Sequence, residues 1–180
     1  ISKGVKDIKT LDFFDTRADL RYDMNVPIPQ NENEKYRVLL DIGCLEHLFD
    51  TRQCIENCLR MIKPDGLYIV HTVVNGYYQH GLHVFNPEGI IEVLRLNNFE
   101  IIYLKYSTMN GKLLKDPSYG GDVLIWIVSK KLKSIDKFII PQQKIWREVQ
   151  QNKKIKDTRL SMKSTIYKVL SVGWKLLNNL

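Results

Sequence analysis

The chain has 180 residues, of which 44% are hydrophobic and 26% charged, a composition typical of globular domains. No apolar run approaches the ~20 residues of a transmembrane helix, and the start lacks the apolar core of a signal peptide. Residues 129–180 carry a net charge of +10, against −3 for the first 128 residues. We therefore expect a cytoplasmic protein whose basic end either meets an anionic surface or is simply solvated.

The cysteine pattern favours reduced thiols. There are three cysteines, an odd number, and Cys54 and Cys58 fall inside a helical pattern. A metal is the alternative interpretation of this pair, but no second Cys or His pair stands at zinc spacing. The sequence therefore predicts no metal site.

The first 40 residues predict three strands. Short strands are expected over 8–12 and 18–22, and each is closed by an acid, Asp12 and Asp23 respectively. Residues 24–29 contain two prolines two positions apart and must form a loop. The apolar run Tyr36–Leu40 then predicts a central strand.

Two helices alternate with the next strands. Residues 51–62 place Ile55, Cys58, Leu59 and Ile62 on one helical face, with Asp50 as a plausible N-cap. Lys63-Pro64-Asp65-Gly66 predicts a stop and a turn before a buried strand over 67–74. After a long loop over 75–86, Pro87 opens a second helix that ends near Asn97.

The remaining chain predicts an edge pair and a tail. Strands are expected over 99–106 and 123–128 with no helix between them, hence an antiparallel pair. The element order predicts an α/β fold with a mostly parallel sheet. Residues 142–154 look helical, and 161–180 predict a basic amphipathic helix. That helix either packs on the domain or a partner subunit, or lies on a membrane surface through residues 155–180.

The turn that follows the central strand is the predicted ligand-binding position. Residues 41–50, "DIGCLEHLFD", connect this strand to the first helix, and α/β sheets bind ligands at the carboxyl ends of their strands. Gly43 does not begin a glycine-rich phosphate loop, because the residues after it bear side chains suited to a helix start. Glu46 and His47 either open that helix, where the dipole favours a carboxylate, or act in chemistry directly.

Four stretches in the same order resemble class I S-adenosylmethionine-dependent methyltransferases of the type-11/type-12 group. They are "YRVLLDIGCLEHLFD", "CLRMIKPDGLYIV", "HGLHVFNPEGIIEVLRLNNFEI" and the final antiparallel strand pair. The resemblance covers roughly residues 7–130. It implies a Rossmann-like sheet with helices on both faces.

The resemblance also implies cofactor-binding residues for S-adenosylmethionine. Asp12 would bind the ribose hydroxyls, Phe13 would lie on the adenine, and Asp23 would accept the adenine amino group, with the Met24 backbone amide beside the ring. Alternatively, Asp12 caps a helix, Asp23 forms an Asx-turn and Phe13 belongs to the core.

The turn would complete the cofactor site. Under the resemblance, Asp41, Gly43 and Cys44 would lie along the methionine part and the reacting methyl. His80, in the loop after the second long strand, is the candidate catalytic residue on the acceptor side, whereas His71 is expected in the core.

The family's first strand and its glycine-rich loop have no counterpart here. The interpretation is a partial methyltransferase domain over 1–130, amino-terminally truncated, with a basic helical tail over 131–180. The acceptor would be a small molecule or a glycan, nucleic acid is not expected as a partner, and a homo-oligomer is possible. The rival hypotheses are a non-catalytic interaction module with a membrane- or partner-binding tail, and a nucleotide-sugar or NAD enzyme, which would lack its glycine fingerprint.

Overall fold

The computed structural model describes residues 7–115 and 120–142. The chain divides into two units, residues 1–141 and 142–180. The predicted tail helices, and the proposed membrane segment 155–180, lie outside the described residues apart from Gln142. The predicted domain division at residue 130 therefore stays a prediction.

A five-stranded sheet forms the frame of the described chain. Its strands stand in the order β1-β2-β5-β3-β4, and β1 and β2 pair in parallel. The pairs β2–β5, β5–β3 and β3–β4 are antiparallel. The bounds are β1 Tyr36–Ile42, β2 Ile62–Asn75, β3 Phe99–Ser107, β4 Leu113–Leu114 and β5 Val123–Lys131.

The predicted α/β class is confirmed, and the sheet is mixed. Strands β1, β2 and β3 run in one direction, but β5 inserts between β2 and β3 in the opposite direction. This insertion converts the expected parallel neighbours into antiparallel pairs, so β1–β2 is the one parallel ladder among the described strands. The predicted pairing of β3 with β5 is present, and the loop between them also contains the short strand β4.

Two helices cover one face of this sheet. Helix α1, Thr51–Met61, is capped by Asp50, whose carboxylate accepts from the Gln53 amide at 2.8 Å. Helix α2 spans Pro87–Leu96, with Asn86 as its cap. Both helices bury apolar side chains against β2 and β5 in one core cluster, which includes Leu59, Leu94, Val70, Ile125 and Ile127.

The opposite face is open along β1. Val38, Leu40 and Ile42 alternate with the core-facing Leu39 and Asp41, and all three are exposed. Helices α1 and α2 both pack into the same core. The described residues therefore contain no helix on the second face of the sheet, where the resemblance implies one. No helix in the described ranges has the length and apolar character needed to cross a membrane.

The two strands predicted before residue 23 are wrong. They form a single isolated parallel bridge between Leu11 and Leu20. Side chains take the backbone donors that a ladder would need, since Asp19 accepts from the Thr10 amide at 2.8 Å and Asp12 from the Phe14 amide at 2.7 Å. The local hydrogen bonds therefore replace extended pairing.

Candidate functional site

The carboxyl ends of β1 and β2 are joined by a turn that needs glycine. Gly43 follows β1 with a φ of +73°, which side chains rarely adopt, and its amide donates to the His71 carbonyl at 3.0 Å. The 3₁₀ turn Leu45–His47 comes directly after it. This geometry places Glu46 and His47 at the edge where parallel strands end.

The loop over 76–86 is fastened to the backbone of Glu46. The amides of Leu82 and His83 both donate to the Glu46 carbonyl, at 2.8 and 3.1 Å. Gly81 allows this approach, because a Cβ there would lie 2.8 Å from the same carbonyl oxygen. The loop therefore brings His80 over the turn that follows β1.

Glu46 is a buried carboxylate that faces two histidines. The residue is only 2% exposed, and its Oε2 accepts from the Thr72 hydroxyl at 2.8 Å. Its Oε1 lies 3.9 Å from Nε2 of His80, whose side chain is 42% exposed. The His80 ring meets the His47 ring edge-on at a centroid distance of 5.0 Å, and Tyr77 at 5.5 Å.

Asp41, a buried residue near the end of β1, stabilises the turn through hydrogen bonds. It is 4% exposed, and its Oδ2 accepts from the Tyr68 hydroxyl at 2.8 Å, while Oδ1 accepts from the Leu45 amide at 3.3 Å. Burial raises the pKa of the Asp41 carboxyl, and the Tyr68 hydrogen bond opposes that rise. Asp41 is thus placed to shape the turn, whereas Gly43 and Cys44 are exposed and present backbone to solvent.

Asp12 and Phe13 lie on the surface of the described chain. Asp12 is exposed and its Oδ1 accepts from the amides of Phe14 and Asp15, so it closes a local turn. Phe13 is 48% exposed and packs edge-on against Phe14 at 4.9 Å, which is not the core position that was the alternative. Their roles toward a cofactor stay predictions.

Asp23 and Met24 sit in the loop that packs on α1. Oδ1 of Asp23 accepts from the amide and the side chain of Asn25, which is the Asx-turn that the sequence left open. Met24 is buried in the core, and its carbonyl accepts from the Asn57 side chain at 3.3 Å. Both cofactor assignments stay predictions.

His71 lies on the open side of the sheet. It stacks on Trp126 at a centroid distance of 4.0 Å, and partial burial lowers its pKa. His83 has Nε2 3.3 Å from the Phe49 carbonyl. Of the histidines, His47 and His80 are therefore the two that meet at the carboxylate of Glu46.

Sequence reasoning did not identify Thr72 as the hydrogen-bond partner of Glu46. Thr72 lies inside a run of β-branched strand residues, and nothing in the local pattern distinguishes its hydroxyl from those of other strand residues. Two groups of possible metal ligands also occur in the described residues, with ligand atoms within 4.8 Å of one another: Asp41, Cys54 and Cys58, and Glu46, His47 and His80. The spacing argument that predicted no metal site could not detect the second group, because its members come from two loops.

No family model matches the chain. It is similar to the ubiquinone biosynthesis O-methyltransferase of Chelativorans sp. (strain BNC1), with 31% identity over 64 residues, covering 36% of this chain and 25% of the relative. The enzyme of the same name from Rickettsia typhi (strain ATCC VR-144 / Wilmington) is 26% identical over 125 residues, 57% of this chain and 51% of the relative. The chain thus spans between about a quarter and a half of the length of the curated relatives it matches.

Solved structures give only distant likenesses. A SAM-dependent methyltransferase from Methanosarcina mazei matches with a TM-score of 0.45 and 12% identity, covering 67% of this chain and 71% of that one. A 1,6-didemethyltoxoflavin-N1-methyltransferase from Burkholderia thailandensis matches with a TM-score of 0.43 and 18% identity, covering 65% of this chain and 53% of that one. The relationship therefore depends on the sequence matches and on the ordered motifs. On these, part of the chain is similar to class I S-adenosylmethionine-dependent methyltransferases.

Proposed function

We propose that this chain carries the acceptor side of an S-adenosylmethionine-dependent methyltransferase that methylates a hydroxyl group of a small molecule. The observation that carries the proposal is the convergence of Glu46, His47 and His80 beside the exposed Gly43–Cys44 turn. The O-methyltransferase names of the curated relatives support a hydroxyl acceptor.

The chemistry needs little from the protein beyond positioning. The acceptor oxygen attacks the methyl carbon of the sulfonium in line, and the carbon–sulfur bond breaks with its electron pair kept by sulfur. The products are the methyl ether and S-adenosylhomocysteine. The hydroxyl proton must also leave, and Nε2 of His80, which lies 3.9 Å from the Glu46 carboxylate, is the nearby proton acceptor.

The cofactor would lie on the amino-terminal side of the same turn. In this proposal Asp12 and Asp23 bind the two ends of the adenosine, Phe13 covers the adenine and the Met24 amide meets a ring nitrogen. Gly43 and Cys44 contribute backbone along the methionine part. Asp41 supports the turn and does not contact the cofactor directly, because its carboxylate is already hydrogen-bonded to Tyr68.

The test is a titration of the full chain with S-adenosylhomocysteine. Binding is detected by changes in the amide chemical shifts, because NMR detects weak complexes. We expect shifts that cluster around the amides of residues 12–24 and 41–47. Asp23→Ala should weaken binding by about tenfold, the loss of one hydrogen bond to a charged group. Asp19→Ala is the matched control, since that carboxylate bonds to Thr10 instead.

Two results would contradict the proposal. One is the absence of shifts at about millimolar ligand, which corresponds to a binding free energy weaker than about −4 kcal/mol. The other is an equal loss in the Asp19 variant. With binding established, hydroxylated aromatic compounds and saccharides can be compared as acceptors, since a glycan acceptor, membrane contact through residues 155–180 and a homo-oligomer all stay predictions.

A further inference from the structure

The group formed by Glu46, His47 and His80 has the donor atoms of a transition-metal site. Two imidazoles and one carboxylate offer ligand atoms that all lie within 4.8 Å of one another. In a tetrahedral zinc site with bonds of about 2.0–2.1 Å, neighbouring ligand atoms stand about 3.4 Å apart. His47 and His80 are both exposed, so small rotations of their rings can close the difference.

The carboxylate of Glu46 is oriented as a ligand would be. The Thr72 hydroxyl donates to Oε2, and Oε1 is left pointing toward His80 at 3.9 Å, which is too long for a hydrogen bond. The Thr72 bond therefore fixes the carboxylate through Oε2, and the other oxygen is directed toward the side of the turn that carries the histidines. A cation between Oε1 and the His80 imidazole would be coordinated by both groups.

The loop that carries His80 is held in a demanding conformation. Gly76, Tyr77 and Gln79 all have positive φ values, of 68°, 53° and 62°. The Tyr77 hydroxyl, on a ring that contacts His80, is buried without a hydrogen-bond partner in the described structure. The loop is nevertheless fixed by its bonds to the Glu46 carbonyl, so the structure keeps His80 over the carboxylate against this local cost.

We propose that Glu46, His47 and His80 bind a divalent transition-metal ion. Two imidazole nitrogens favour zinc and its neighbours over Mg²⁺ or Ca²⁺, which prefer oxygen ligands. Three protein ligands leave at least one coordination position open, as in catalytic zinc sites, and the exposed histidines place that position toward solvent.

The role of the ion rests on the proposed function, but its binding does not. With the ion present, Nε2 of His80 becomes a ligand instead of a proton acceptor. An acceptor hydroxyl in the open position would then lose its proton to solvent, because coordination to a cation lowers the pKa of a bound hydroxyl. The resulting oxyanion is a stronger nucleophile toward the methyl carbon, and the carbon–sulfur bond breaks as before.

The second ligand group, Asp41, Cys54 and Cys58, is the rival site for the same ion. All three residues are buried, and both oxygens of Asp41 are already hydrogen-bonded, to Tyr68 and to the Leu45 amide. A hydrogen bond with Cys54, together with burial, raises the pKa of the Cys58 thiol, which disfavours the thiolate that metals bind. The rival group therefore serves as the control.

The experiment is a Co²⁺ titration of the chelator-treated full chain, read by visible absorption, with Zn²⁺ as competitor and Mg²⁺ as negative probe. We expect one Co²⁺ per chain, displaced by Zn²⁺, without a thiolate-to-cobalt charge-transfer band. His47→Ala and His80→Ala, both at exposed positions, should each lower the affinity by at least about tenfold, and Thr72→Val by about tenfold through the lost orientation of Glu46. His83→Ala and the double variant Cys54→Ser/Cys58→Ser should bind as the parent chain does.

The outcomes separate the two proposals. Unchanged binding in both His47→Ala and His80→Ala, loss in the double serine variant, or no Co²⁺ and Zn²⁺ binding at all would each overturn the metal site. The titration contains neither cofactor nor acceptor. A chain that binds cobalt through these histidines but shows no S-adenosylhomocysteine shifts would keep the metal site and reject the methyltransferase.

Discussion

Removing the Tyr68 hydroxyl should expose the electrostatic cost of the buried acid beneath the turn. Tyr68 is 1% exposed and Asp41 4%, and the hydroxyl donates to Oδ2 at 2.8 Å. Tyr68→Phe deletes this donor with almost no change of shape. A longer bond from the Leu45 amide to Oδ1, at 3.3 Å, would remain.

The expected loss depends on the charge of Asp41. A hydrogen bond to a charged group contributes about 1.5–3 kcal/mol and a bond between neutral groups about 0.5–1.5 kcal/mol. Burial raises the pKa of folded Asp41 above its ordinary value of 3.8, so its contribution to stability is fully present below that value and is lost as pH rises through the folded pKa. Without the Tyr68 donor the ionised form is less stable still, so the deficit of Tyr68→Phe should grow with pH.

The assay is urea unfolding of parent and variant between about pH 4 and about pH 9, a range in which an ordinary tyrosine remains protonated. The control is the same substitution in an Asp41→Asn background, where the acceptor side chain does not titrate and the deficit should be constant. A deficit of Tyr68→Phe that stays flat with pH, or falls below about 0.5 kcal/mol at every pH, would refute the assigned role of this pair.

Two further substitutions test the elements on either side of the turn. Asp50→Ala should lower the free energy of unfolding by about 1 kcal/mol, because α1 loses the side chain that caps the Gln53 amide. Asp50→Ser should keep most of this stability, since serine can also cap a helix. Equal losses for the two variants in denaturant melts would exclude capping. Gly81→Ala should cost about 1–3 kcal/mol, since its Cβ meets the Glu46 carbonyl, while Gly89→Ala, with open space around it, should be neutral or stabilising. Similar effects of the two glycine substitutions would contradict the close approach of the loop.

The helices were predictable because each carries its own signals. Residues 51–61 combine a capping acid with apolar residues at helical spacing, and Pro87 with the following apolar residues does the same for the second helix. Both patterns are satisfied within a dozen residues. Tertiary contacts then select the same conformation that the local sequence favours.

Strands carry less local information, and the errors follow from that. Residues 8–12 and 18–22 have strand-like composition, but a strand also requires a partner along its length. Here Asp12 and Asp19 supply side-chain acceptors within reach of nearby amides, so local turns form in place of strand pairing. The position of β5 between β2 and β3 was likewise invisible, because sequence order does not fix spatial order in a sheet.

The candidate site was less predictable than the helices and more predictable than the first strands. The turn after β1 was expected at the carboxyl end of a strand, and His80 was expected near the acceptor. Their meeting depends on the Leu82 and His83 amides reaching the Glu46 carbonyl, more than 30 residues away, and no periodic pattern encodes such a contact. Thr72 completes the arrangement from inside β2, where a threonine is indistinguishable from a strand-forming residue.

Glu46 serves the fold and the site through different atoms, and this decides how the site should be dissected. Its backbone carbonyl anchors the loop, a role that any residue at this position can fill, whereas its carboxylate faces Thr72 and His80. Loss of activity in a Glu46 variant that also loosened the loop would therefore say nothing about the charge. Thr72 and His80 lie against different oxygens of the carboxylate, and their side chains do not hold the loop-to-Glu46 bonds. Changes at those two positions consequently report on the carboxylate alone, and Gly81→Ala reports on the anchor, which makes the three variants together a stronger test than any substitution of Glu46 itself.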